Sequence, residues 1–385
     1  MSAGNLQPSK VAVIRCDSYD AKVVEKAVAR GMDALGDITV LFHPGETILL
    51  KPNLLQAAGP EKAVCVHPEV FRSVALYLKR WNVNLTYGDS PATANPNHAA
   101  KVSGIAEVAE SLDIPLADFK TGLSVSTPDI CHIKKFELAT GVLDADGVVS
   151  ISKLKTHTFT TMTGAVKNVF GCIPGLKKAE FHAKFPDPDS FSRMLVELML
   201  TVKPRLHIMD GIVGMEGDGP GSGNPRRMNV LLFSTDPVAL DAAAFSITGL
   251  SVDKIPVLKH GQQLGLGSWE NYKIVGDDIS SFIVQDFKHP STHYRRHNAL
   301  AVKMFRKLIL PYMRIDADRC TRCGQCVAIC PMNPKAVFFK QKSLPPSYKG
   351  NRCIRCFCCQ EVCPEHAIDF MTPILGKILH FLSWN

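Results

Sequence analysis

The stretch VAVIRCDSYDAKVVEKAVARGMDAL, residues 11–35, decides the fold class. It opens with a short apolar run, VAVIRC (11–16), rich in β-branched residues. It continues as AKVVEKAVARGMDAL (21–35), whose apolar residues recur at helical spacing. The same pairing repeats outward from it. ETILLKPN (46–53), VNLTYGDSP (83–91), ADGVVSISKLKTH (145–157), PRLHIMDG (204–211) and MNVLLFSTDP (228–237) read as buried strands. HPEVFRSVALYLKRW (67–81), DSFSRMLVELMLTV (189–202) and VALDAAAFSITG (238–249) read as the helices between them. Apolar runs buried on both faces, alternating with helices, predict an α/β domain over residues 1–290. Its sheet is mostly parallel, with helices on both faces.

The expected strands end in polar turns, and in open α/β sheets ligands bind at the carboxyl ends of strands. Lys51 and Asn53 close one strand, and Lys153, Lys155, Thr156 and His157 close another. Lys167 and Asn168 follow in TTMTGAVKNVFGCIPG (160–175), read as a Gly-rich turn. Lysines with amide and hydroxyl donors at strand ends make a positive, donor-rich pocket suited to phosphate or carboxylate. A solvated face of lysines would use the same residue types, so both readings stand. His157 titrates near neutrality and is the candidate proton donor.

GMEGDGPGSGNPR (214–226) is a glycine loop able to turn backbone N–H groups toward an anion, yet it matches neither nucleotide-binding glycine motif. Asp210, Glu216 and Asp218 flank it as candidates for a divalent cation or for acid–base work. Asp236 precedes a helix and reads as its cap.

Residues 320–331 read CTRCGQCVAICP and residues 353–364 read CIRCFCCQEVCP, with 22 residues between Cys330 and Cys353. Both match C-x2-C-x2-C-x3-C-P, the bacterial ferredoxin run, in which the fourth cysteine serves the other cluster. One 4Fe–4S cluster is therefore assigned to Cys320, Cys323, Cys326 and Cys363. The second is assigned to Cys353, Cys356, Cys359 and Cys330. A structural zinc site would need two cysteine pairs, not two sets of four. Residues 313–372 are thus expected to form a small α+β two-cluster domain of bacterial-ferredoxin type. Cys358, beside a ligand, departs from the usual pattern and reads as a bystander. Cys16, Cys65, Cys131 and Cys172 read as ordinary buried thiols.

The composition, 46% hydrophobic and 21% charged, is that of a globular protein. The net charge of +8 is spread along the chain without a stripe of Lys, Arg and aromatics. No nucleic acid is therefore expected as a partner; an anionic small molecule and a redox protein are. The N-terminus has no apolar signal segment, which with the reduced cysteines suggests a cytoplasmic protein. ALAVKMFRKLILPYMR (299–314) reads as a basic amphipathic helix, the linker being set at 291–312. With the apolar tail at 373–385, it raises peripheral membrane contact as an expectation.

KPN (51–53), GDSP (88–91), SKLKTH (152–157), GAVKNVFGCIPG (164–175), DGIVGMEGDGPGSG (210–223) and DPVALDA (236–242) together resemble the family catalogued as domain of unknown function 362. That family is often fused to a double-cluster module. The resemblance implies an α/β fold and says little about reaction. Two function classes follow. The first is a reductase that moves electrons through its clusters to an anionic molecule at the strand ends; a flavin is compatible with it, but no flavin motif is present. The second is a ferredoxin-like carrier, or a cofactor- or metal-maturation subunit, with a non-catalytic docking domain.

Overall fold

The computed structural model describes residues 8–91, 95–175, 177–290, 312–371 and 373. The strands of the large domain are β1 (Ser9–Arg15), β2 (Thr47–Pro52), β3 (Asn84–Tyr87), β4 (Gly122–Ser126), β5 (Lys135–Ala139), β6 (Gly147–His157), β7 (Thr161–Thr163), β8 (Leu206–Glu216), β9 (Asn224–Ser234) and β10 (Tyr272–Gly276). The central sheet runs β10-β1-β9-β8-β6-β2-β3, with β7 folded back on β6. β9 lies antiparallel to β1 and β8, and the other neighbours along that path are parallel. The α/β expectation holds. β4 and β5 form a separate hairpin.

Alternation along each strand feeds two cores. Val11, Val13 and Leu49 face a core with Phe191, Leu195 and Phe245 from helices Pro188–Val202 and Pro237–Ser246. Ala12, Ile14, Ile48 and Leu50 face a core with Val24, Met32, Val70 and Val74 from helices Ala21–Leu35 and Pro68–Lys79. Each such side chain, fully buried, contributes roughly 1.5–3 kcal/mol. Asp236 caps its helix as expected, its Oδ1 accepting from the N–H of Val238 at 2.8 Å and of Ala239 at 2.9 Å.

Three sequence expectations are corrected. β8 continues to Glu216 and β9 begins at Asn224, so the glycine loop shrinks to residues 217–223. A bulge between Gly211 and Val213 lets the hairpin continue beyond the rest of the sheet. The turn expected over 160–175 contains β7, a short helix Ala165–Asn168 and a 3-10 turn Val169–Cys172. The basic stretch 299–314 lies outside the described residues up to 311, and its last residues are strand: Tyr312, Met313 and Arg314 belong to β11 (Tyr312–Ile315). The tail from 374 onward is also outside them. Among the described residues, no helix is long and apolar enough to cross a membrane.

In the C-terminal module β11 pairs antiparallel with β14 (Ile368–Met371), and β12 (Val337–Phe338) with β13 (Ser347–Tyr348). Short helices Gln325–Ile329 and Cys358–Glu361 follow the two cysteine loops. The module packs on the large domain: Ile329, Cys356, Cys358 and Val362 bury against Ala179. Ser222 Oγ meets His366 Nδ1 at 2.9 Å across the seam.

Gly31 sits mid-helix, where a Cβ would lie 2.2 Å from the Phe233 ring on β9. Helix propensity alone would favour alanine by up to about 1 kcal/mol. The clash decides the sign: Gly31→Ala is expected to destabilise by about 1–3 kcal/mol in urea unfolding. Unchanged or raised stability would show that the ring yields freely.

Candidate active site

The ends of β2, β3 and β6 and the turn Val169–Cys172 open into a cleft of about 710 Å³, counted to its open mouth. Its other wall is the C-terminal module, through Ile329, Cys358, Glu361 and Val362. Leu54, Leu55 and Phe170 add apolar surface, and Lys155, Lys167, Asn168 and Lys178 bring polar groups. The site is thus shared between domains.

The structure separates the lysines that looked alike in sequence. Lys51 does not line the cleft: its Nζ donates to Asp89 Oδ1 at 2.8 Å, and both side chains are buried. Behind that pair a Cβ on Gly171 would stand 1.8 Å from Asp89 Oδ1, so only glycine fits there. Lys153 is equally committed, donating to Asp210 Oδ2 at 2.7 Å and to the Tyr19 hydroxyl at 3.0 Å. Tyr19 stacks on His67 with ring centroids 3.6 Å apart. This second polar cluster is internally satisfied: Asp210 also accepts from Tyr19 and from the His67 and Ile212 amides. Glu216 accepts from the Lys288 amide. Among the described residues no three His, Cys, Asp or Glu side chains converge as ligands of one metal ion do.

Lys155, Lys167, Asn53 and Asn168 do line the cleft. Lys155 is buried and donates to Asn53 Oδ1 at 2.8 Å and to the Val64 carbonyl at 2.6 Å, leaving one N–H. Burial pushes its ammonium down to about 7. Lys167 lies with its Nζ 5.6 Å from the Phe170 ring centroid. Burial lowers its affinity for the proton, and Glu361 and Cys358 oppose that. Asn168 donates to Ser150 Oγ at 2.9 Å and is held rigid. Lys178, which sequence reasoning missed, donates to Ser90 Oγ and to the Ser90, Pro91 and Ile173 carbonyls. It too is pushed to about 7 by burial. Thr163 and His182 line the cleft, and their buried Oγ1 and Nδ1 atoms have no hydrogen-bond partner among the described residues.

His157 stands one layer behind. It is fully buried, and its Nδ1 accepts from the Phe159 and Thr160 amides at 3.1 and 3.3 Å. That network places the proton on Nε2, which lies 3.2 Å from Glu361 Oε1 across the seam. Burial drives the imidazole down to about 4, so it is neutral at pH 7. Burial would raise the Glu361 carboxyl, but His157, Lys167 and His182 outweigh it and hold the group down at about 2.

The two cysteine loops share one backbone. Arg322 and Gly324 have φ of 59° and 79°, and Arg355 and Phe357, at the equivalent positions, have 61° and 63°. These left-handed residues curl each loop around its sulfurs. Cys320, Cys323, Cys326 and Cys363 line one cavity with Gly324, Ala367 and Ile368. The Ala367 amide donates to Cys363 Sγ at 3.2 Å and the Arg355 amide to Cys353 Sγ at 3.3 Å. Burial, with Cys356, Cys353, Cys326 and Cys330 close by, pushes the Cys359 thiol far up. Thiols crowded so that they resist ionisation alone suit bound iron, whose positive charge favours the thiolate. The residues therefore fit 4Fe–4S clusters.

Residues 48–246 match the model of a domain of unknown function (DUF362), and residues 312–364 match a 4Fe–4S dicluster domain. The chain belongs to the DUF362 family. It is 35% identical over 257 residues to the thylakoid-associated protein sll1697 of Synechocystis sp., covering 66% of this chain and 79% of that protein. Among solved structures, the lactate racemase apoprotein from Thermoanaerobacterium thermosaccharolyticum aligns at a TM-score of 0.42 and 12% identity over 64% of this chain. A protein from Thermotoga maritima aligns at 0.36 and 12% over 65%. The chain spans 59% and 60% of those two. The C-terminal match assigns iron–sulfur electron transfer to the module. Glu361, His182 and Lys178, which the sequence reading of the DUF362 domain did not single out, lacked a local signal, because the seam that unites them is tertiary.

Asp89→Asn would strand the buried Lys51 ammonium. We expect a loss of about 3–5 kcal/mol in denaturant unfolding, part of it recovered in the double variant with Lys51→Met. A loss under about 1 kcal/mol would show that the pair does not hold the strand ends. His67 and His157 sit at about 4 and His182 and His207 at about 3, below the ordinary 6.5, all chiefly through burial. Below 6.5 the unfolded chain binds more protons than the folded one, so stability falls with pH toward those values. Each group contributes on the order of 1 kcal/mol per pH unit. His207→Leu should flatten the slope of unfolding free energy between about pH 6 and 4.5; an unaltered slope would show that His207 is not buried neutral.

Proposed function

We propose that this protein is an iron–sulfur oxidoreductase that delivers single electrons to an anionic small molecule with an apolar body, bound in the cleft between the two domains. One observation carries the reading. The cleft is walled on one side by Lys155 at the end of β6 with Lys167 and Lys178, and on the other by the segment between cluster ligands Cys356 and Cys363. In this reading Cys320, Cys323, Cys326 and Cys363 hold one cluster, and Cys353, Cys356, Cys359 and Cys330 hold the other. When bound, the clusters supply one-electron reducing equivalents.

The chain's own residues do the rest. Lys167 and the remaining N–H of Lys155 bind the anion, with the Asn168 amide beside them. Leu54, Leu55, Phe170, Ile329 and Val362 take up the apolar body and exclude water, which strengthens each charge contact. Lys155, poised at about 7, holds a proton at Nζ for the reduced product. It takes the role that sequence gave to His157. His157, neutral, faces Glu361 with Nε2 at 3.2 Å from its Oε1.

The test is anaerobic purification with reconstituted clusters, followed by mass spectrometry for a co-purifying anion. Lys167→Ala is expected to weaken its retention by roughly ten- to a hundredfold, as losing a charged hydrogen bond does, with iron content unchanged. In a redox titration followed by EPR, Lys167→Gln should lower the midpoint potential of one cluster and leave the other unmoved. Absence of any bound anion, with both potentials unaffected, would defeat the reading in favour of a carrier with a docking domain.

A further inference from the structure

The two cysteine loops differ in exposure. Cys353, Cys356 and Cys359 are buried, whereas Cys323 is exposed and Cys320 and Cys363 are partly so. Thr321 and Arg322 beside Cys323 are exposed as well. The turn between β12 and β13 lies over this loop: Arg322 donates to the Ser343 carbonyl at 3.0 Å, and Pro346 lines the same cysteine cavity. That turn presents Lys340 and Lys342, both exposed, and Leu344, which is 53% exposed. Residues 312–352 carry eight Lys and Arg against two acids, Asp316 and Asp318. Arg319 takes up Asp316 at 3.0 Å and Asp369 at 2.8 Å. Glu365, next to the ligand Cys363 by one proline, is the other exposed acid near the loop. The balance around Cys323 is therefore basic, with an apolar tip at its centre.

We propose that this face, Arg322, Lys340, Lys342 and Leu344 around the exposed Cys323 loop, is the docking surface for an acidic electron-transfer protein. Transient redox pairs use small interfaces, and opposite charge raises their encounter rate more than their affinity. A basic rim around the more exposed cysteine loop is built for such an encounter. The other loop is buried against the large domain and offers no comparable face. The proposal stands whether or not the cleft binds the electron acceptor, because it concerns only where electrons come in.

The experiment is anaerobic stopped-flow on the full chain with reconstituted clusters, using a reduced, acidic two-iron ferredoxin as probe. The second-order rate of cluster reduction is expected to fall at least about tenfold as salt rises from roughly 20 to 500 mM. K340E/K342E is expected to lower the low-salt rate at least about tenfold. Iron content and EPR signals should be unchanged, and reduction by the cationic methyl viologen radical should be no slower. If the reversed charges impair assembly, K340Q/K342Q carries the same test at about threefold. A rate indifferent to salt overturns the proposal, as does a double variant that reacts with the ferredoxin as fast as the native protein.

Discussion

A carboxylate that leaves water costs free energy unless opposite charge lies near it, and for Glu361 that charge comes from the other domain. It sits on the short helix Cys358–Glu361, two residues from each of two cluster cysteines. It faces His157 Nε2 at 3.2 Å and lies in the field of Lys167. Breaking this contact would leave a buried anion unpaired, which is among the costlier faults a fold can carry. With the apolar patch around Ala179 and the Ser222–His366 pair, the contact seats the module against the strand ends. The cleft exists because of that seating: remove the module, and Lys155, Lys167 and Asn168 line an open edge of a sheet.

The strand-end lysines show how far sequence reading reaches. A mostly parallel sheet with helices on both faces and the placement of polar residues at carboxyl ends were legible, because they rest on alternating apolar runs and on the rule that strands end in turns. What was not legible is the division of labour. Lys51 and Lys153 face Asp89 and Asp210, residues 38 and 57 positions away, and spend their charge on structure. Lys155 and Lys167 line the cleft instead. Nothing local distinguishes these pairs, since each is a lysine at a strand or helix end. Only packing assigns Asp89 to one and the open cleft to another. His157 is a similar case: the strand end places it near the site, but burial neutralises it and sets it behind the cleft, facing Glu361.

In the module the legible part was larger, because ligand spacing is a local property. Two loops with the same spacing adopt the same pair of left-handed residues, even where Phe357 stands in place of Gly324. A phenylalanine at positive φ is strained by roughly 1–2 kcal/mol. Its ring packs against Phe370 with centroids 4.4 Å apart, and that burial offsets the strain. Cys358 was read as a bystander, yet it lines the cleft beside Glu361 and packs on Ala179. Its position follows from Cys356 and Cys359. Of the two residues between those ligands, Phe357 packs on Phe370 and Cys358 lines the cleft.

The two ends of the module therefore meet different surroundings for one physical reason. A two-cluster fold places its two cysteine loops in related but oppositely directed positions, so a partner that covers one leaves the other free. The large domain covers the Cys353–Cys359 loop and builds a lysine-bearing cleft against it. The Cys320–Cys326 loop stays open under a basic turn. Electron transfer falls off steeply with distance, so on the proposed reading burial of one loop and exposure of the other would give the two ends of the module different partners.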